Sequence, residues 1–210
     1  MGRCSDARDR LLLSASRLIH DRGYSAVSVS DICDDAGLKK GSFYHFFPSK
    51  RDLVLEAIDR YAAEQARGIS AALDPQLPAV EQLRRMFSTA ACNVAARHAE
   101  DGAIQGCPLG NLALEMAHRD PAIRDKLSCV FAQWRAAVGV VLRRAVQRGE
   151  LEAHDTETVA EAIVAYVEGA ILMAKASGDP EVMRRLERGV DAIVLGAIQA
   201  NHLATAEKAV

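Results

Sequence analysis

Apolar residues recur along this chain at intervals of three and four, and no convincing stretch alternates with a period of two. The pattern predicts an all-α protein. The first stripe, Leu11, Leu12, Ala15, Leu18 and Ile19, predicts a helix over about 6–22, which Gly23 stops. Ser28 then occupies an N-cap position with Asp31 three residues on, so a short helix is expected over 29–36, ended by Gly37. After a turn at Leu38, a second short helix runs from Lys40 to Phe46 or Phe47, where Pro48 breaks it. Ser49 caps a long helix from Lys50 to about Leu73, with Leu53, Ala57, Ile58 and Tyr61 on its buried side and "DPQLP" as its stop. Further helices are expected at about 78–98, 109–118, 121–148, 156–177 and 180–201. Gly149 and Asp155 mark two junctions, "SGDP" is the turn before the last helix, and the tail after Asn201 is expected to fray.

The two short helices have the pattern of a helix-turn-helix. Steeply crossed helices need a small residue where they touch, a residue that tolerates positive φ in the turn, and inward apolar side chains. Cys33 supplies the first and Gly37 the second. Ile32, Ala36, Leu38 and Phe43 supply the interior, against Leu18 and Ile19. Lys39, Lys40, Ser42, Tyr44 and His45 then face outward, hydrogen-bond donors suited to phosphates and base edges.

Charge sharpens this picture. The 210 residues sum to −2, yet residues 1–52 carry nine Lys/Arg and seven Asp/Glu, and no acidic residue occurs from Gly37 to Arg51. Such a stretch suits an anionic partner. A solvated amphipathic corner would show the same helical pattern, but exposed Tyr44 and His45 are costly on a passive surface.

The segment "GYSAVSVSDICDDAGLKKGSFYHFFPSKRDLVLEAI" resembles the DNA-binding region of the tetracycline-repressor (TetR) family of one-component transcriptional regulators. The matching positions are Gly23, Ser28, Ile32, Ala36, Gly37, Gly41, Ser42, Phe43, Tyr44, Phe47, Ser49, Lys50 and Leu53. Cys33 stands where the family usually has Ala, a mild change. Phe46 stands where His or Tyr is frequent, which shifts the polar contact to His45. The resemblance implies an N-terminal three-helix DNA-binding domain over 1–52 and a larger helical effector-binding and dimerisation domain over 53–210. It implies that Ser28 and Ser30 hold a phosphate, and that Lys39, Lys40 and Ser42 contact base edges and nearby phosphates. Gly41 would let the backbone approach DNA, while Tyr44, His45 and Lys50 grip the DNA backbone.

It further implies a homodimer on a double-stranded, pseudo-palindromic operator, joined through the last two helices. "VAEAIVAYVEGAILMAKA" and "VDAIVLGAIQA" agree, with small or apolar residues on more than one face and Gly169 and Gly196 allowing close approach. An unidentified small-molecule effector is expected in the middle helices. Leu112, Met116, Phe131, Trp134 and Tyr166 are the candidate lining, residues that plain core packing would also explain. Glu115, Arg135 and Glu168 are the ionisable groups that fall on apolar faces. Pro108 suits a first helical position and places Cys107 at the N-cap, where a thiol can gain thiolate character. Cys107 is therefore a candidate sensor of electrophiles or oxidants, with a small residue in a tight turn as the plainer reading.

Other classes find little support. No Ser/His/Asp grouping, phosphate-binding loop or paired-carboxylate motif suggests an enzyme. A helical adaptor using the aromatic-basic stretch on a protein partner is the remaining alternative. The five cysteines are scattered without CxxC or Cys/His spacing, so no metal or other cofactor is expected. No signal peptide or membrane-length apolar run is read, and a cytoplasmic protein is expected.

Overall fold

Local caps settle where the helices of the N-terminal region begin and end. In a computed structural model, which describes residues 2–152 and 155–197 (backbone only for 2–5), α1 spans Gly2–Arg22, α2 Val29–Asp35, α3 Lys40–Phe46 and α4 Lys50–Ala72. They are followed by α5 Ala79–Asp101, α6 Pro108–Met116, α7 Pro121–Gln147, α8 Thr156–Ser177 and α9 Glu181–Leu186, then by helical residues 189–197. No strand occurs among the described residues. Residues 198–201 of the expected last helix, the tail beyond them and His154 lie outside the described residues.

The chain divides into two compact units. Among the described residues, the first comprises 2–64 and 107–130, and the second 65–106, 131–152 and 155–197. In the first, α2 and α3 pack on α1, and α6 also touches α1. Leu11, Leu12, Ala15, Leu18, Ile32, Cys33, Phe43, Phe47, Leu53 and Ile58 are buried there, including most of the stripe that the spacing predicts. The α2–α3 turn closes as a Schellman motif: Leu38 N–H donates to Cys33 O at 2.8 Å and Gly37 N–H to Asp34 O at 3.1 Å, with Gly37 at φ +62°.

In the second unit, α5 packs against α8 and α9. Arg84 of α5 forms a two-pronged ion pair with Asp191, at 2.8 and 2.5 Å, and Ser88 donates to Glu187 at 2.6 Å. The single helix expected over 180–201 is broken at Glu187–Arg188. The reason is a side chain that the periodicity does not reveal. Tyr166 Oη donates to the Leu186 carbonyl at 2.7 Å, the group that Val190 N–H would use in an unbroken helix; Val190 N–H turns to Glu187 O at 3.4 Å. Gly189 follows the break, and a Cβ there would lie 1.9 Å from Tyr166 Oη, so only glycine lets the ring sit this close.

Candidate nucleic-acid interface

The front of the first unit is built by caps and by side chains from outside the motif. Ser28 and Asp31 form the expected capping box: Asp31 N–H donates to Ser28 Oγ at 3.1 Å, and Ser28 N–H to Asp31 Oδ2 at 2.7 Å. The Ser28 hydroxyl also donates to Asp31 at 2.6 Å. Its hydrogen bonds hold the Asp31 carboxyl below its usual pKa, the side-chain bond contributing most. Ser30 sits half-buried in the first turn of α2. Arg10 of α1 donates to the Ala36 carbonyl at the other end of α2. A Cβ on Gly37 would lie 2.8 Å from that guanidinium, a second reason for glycine beside its positive φ.

Lys39 is the N-cap of α3 and makes no side-chain cap bond. Lys39, Lys40, Gly41, Tyr44 and His45 are exposed, Tyr44 at 59%, and Ser42 is half-buried beside them. Nothing lies within 4 Å of where a Gly41 Cβ would be, so the backbone is open there. On the opposite side Phe43 and Phe47 are buried with ring centroids 5.9 Å apart, and the Arg8 guanidinium lies 5.3 Å from the Phe47 ring centre. The structure thus brings Lys39, Lys40, Gly41, Ser42, Tyr44 and His45 together on one short helix.

Lys50 stands apart from this group. Its ammonium donates to the Tyr24 and Val27 carbonyls at 2.8 and 2.7 Å and lies 3.9 Å from the Tyr24 ring centre. Burial lowers its pKa, against the pull of Glu115 and Asp31. Two of its three donors serve the α1–α2 loop. The same loop receives a residue from far along the chain. Tyr24 N–H donates to Glu115 Oε2 and Ser25 N–H to Glu115 Oε1, each at 2.7 Å. Burial raises the Glu115 carboxyl, but the bonds from Ser25 and Tyr24 and the charge of Arg119 outweigh it and leave the group below the usual range. In the sequence Glu115 shows only as a charge on an apolar face, and that is the available signal.

The candidate effector residues divide between the units. In the first, Cys107, Leu112 and Met116 of the α6 region are buried, and Cys107 caps α6 with its Sγ accepting from Gly110 N–H at 3.4 Å. In the second, Phe131 and Trp134 meet edge-on at 5.2 Å, and Tyr166 lies 5.8 Å from Phe87. The Tyr166 hydroxyl is committed to Leu186 O, and burial raises its pKa.

Residues 11–57 match the family described as bacterial regulatory proteins, tetR family, and residues 79–190 match the tetracyclin repressor-like C-terminal domain. The chain belongs to the TetR family. Over 184 residues it is 36% identical to the transcriptional regulator AcuR of Cereibacter sphaeroides, covering 87% of this chain and 82% of AcuR. The HTH-type transcriptional repressor DhaR of a Mycobacterium species is 29% identical over 170 residues, 80% of this chain and 82% of DhaR. A solved TetR regulatory protein from Rhodobacter sphaeroides is 34% identical, with a TM-score of 0.77 over 88% of this chain and 96% of its own. A TetR transcriptional regulator from Chloroflexus aurantiacus is 27% identical, with a TM-score of 0.81 over 93% and 97%. This TetR-family chain is a DNA-binding transcriptional regulator, not an enzyme. Among the described residues no helix is long and apolar enough to cross a membrane.

Proposed function

We propose that this TetR-family chain is a repressor that binds a pseudo-palindromic operator as a homodimer and is released by a small-molecule effector. The observation that carries the DNA side is the exposed, acid-free surface of α3. In this reading residues 1–52 make the DNA contacts, and 53–210 bind effector and partner subunit. Lys39, Lys40 and Ser42 read base edges, Gly41 admits the backbone, and Tyr44 and His45 grip phosphates. Ser28, Ser30 and the remaining donor of Lys50 support the flanking phosphates.

A mobility shift with the DNA upstream of its own gene tests this, with binding that weakens steeply as salt rises. Lys40→Ala should cost roughly 1–3 kcal/mol on that operator and clearly less on a random duplex. Equal losses on both would remove Lys40 from the reading set.

The effector is an apolar or electrophilic molecule, and each unit holds proposed contacts for it: Leu112 and Met116 in the first, and Phe131, Trp134 and Tyr166 in the second. Cys107 is the proposed point of attack for an electrophile: its buried sulfur accepts the capping bond of α6, and the bulk of an adduct added to that sulfur would disturb the cap. Cys107→Ser should keep operator affinity and lose release by N-ethylmaleimide. Release equal to wild type, through the exposed Cys92 or Cys129, would assign the response elsewhere.

A further inference from the structure

The loop between α1 and α2 is gripped from two sides by opposite charges. Its backbone turns at Gly23, φ +87°, so that two successive N–H groups, those of Tyr24 and Ser25, converge on the Glu115 carboxylate of α6. A Cβ on Gly23 would lie 3.0 Å from Glu115 Oε2, so the carboxylate packs against the chain as well as bonding to it. The carbonyls of Tyr24 and Val27 converge in turn on the Lys50 ammonium of α4. Four polar groups of one short loop are thereby satisfied by two side chains, and each bond is charge-assisted. The next residue is Ser28, the N-cap of α2, so the loop's position sets where α2 starts, and α2 carries the Schellman turn into α3. Two longer polar links also join the end of α6 to this region: Arg119 reaches Ser25 Oγ at 3.5 Å, and Arg51 stands 3.9 Å from Asp120.

We propose that Glu115 is a positioning residue for DNA binding, which holds the α1–α2 loop to α6 and so fixes the seat of the α2–α3 reading head. The inference rests on α2 and α3 being the DNA-contacting elements. It makes a prediction whose sign is opposite to that of simple charge. Neutralising an acidic group close to a DNA-binding surface should by itself strengthen binding, since the partner is a polyanion. Glu115→Gln removes that charge, but its amide can accept at only one atom, and its NH2 would face an N–H donor.

The experiment measures Kd at fixed salt for operator selected from random DNA with the wild-type protein, and for an unrelated duplex. Glu115→Gln should bind operator about tenfold more weakly and the unrelated duplex no more weakly than wild type. Glu115→Asp, which keeps the charge on a shorter stem, should lie between the two on operator. Operator affinity for Glu115→Gln equal to or above wild type overturns the proposal. If the Gln variant fails to fold by circular dichroism, Glu115→Asp decides, and undiminished operator affinity there overturns it too. Parallel losses on operator and unrelated duplex also overturn it, because they mark general unfolding. A wild-type protein that selects no sequence would instead sink the assignment of α2 and α3.

Discussion

Replacing Phe43 with alanine should abolish operator binding and lower the melting temperature by about 10 °C, the larger of the effects expected in the reading head. The ring is fully buried, with Tyr44 edge-on at 5.2 Å and Phe47 at 5.9 Å. Around it the first unit buries Leu11, Leu18, Ile32 and Leu53. Truncating a buried Phe costs roughly 3–5 kcal/mol, because the transfer term and the cavity term add. A domain holds only about 5–15 kcal/mol against unfolding, so a large fraction of its margin goes. The loss reaches function by a short path. Most of the residues proposed to touch DNA, Lys40, Gly41, Ser42, Tyr44 and His45, are on the same seven-residue helix with Lys39 as its N-cap, and so short a helix has little stability away from its packing. Thermal melts by circular dichroism and a mobility shift check this together. A melt within about 2 °C of wild type would contradict the packing argument, since even 1 kcal/mol is worth that much in a chain of this size.

The reading head was legible because its determinants are local. The Ser28–Asp31 box, Gly37, Pro48 and the Phe43/Phe47 pair all act within a few residues of where they stand. Helical spacing likewise separated the buried stripe of α1 from its exposed side. What stayed hidden depends on chain partners that spacing cannot supply. Glu115 meets Tyr24 across 91 residues, and Arg84 meets Asp191 across 107. An apolar-face carboxylate announces that a partner exists, because burying it alone is expensive, but not which partner. Lys50 illustrates the same limit from the other side. Its position in the motif suggests a phosphate contact, whereas two of its donors answer carbonyls of the α1–α2 loop, whose path helical spacing does not describe. The break after α9 escaped for a related reason: a phenol on α8 competes for a backbone carbonyl, and no propensity scale contains that hydroxyl.

Placing aspartate at both Met173 and Leu195 should convert the proposed dimer to monomer and reduce operator affinity by about a hundredfold or more, since each subunit would then hold a half-site alone. The second unit leaves Leu172 at 51%, Met173 at 59% and Leu195 at 54% exposed. Leu172 and Met173 are on α8, and Leu195 is on the helical segment 189–197. The same two stretches contain Gly169 and Gly196, and nothing lies within 4 Å of a Cβ built on either. Large exposed side chains beside glycines with open space above them are what a close helix–helix contact with a second copy requires. An isologous arrangement repeats each contact twice, so each buried charge is introduced twice as well. The effect on DNA follows without any change in α3. Two reading heads about 34–36 Å apart gain from effective concentration, and separated heads lose that gain entirely. Arg84 and Asp191 supply the control, because their ion pair ties the terminal segment to α5 without contributing an apolar surface. Sedimentation velocity at micromolar protein and a mobility shift on the same preparations decide the matter. A Met173→Asp, Leu195→Asp protein that still sediments as a dimer would place the interface on another surface, and full operator binding by a monomer would remove the dimer from the mechanism.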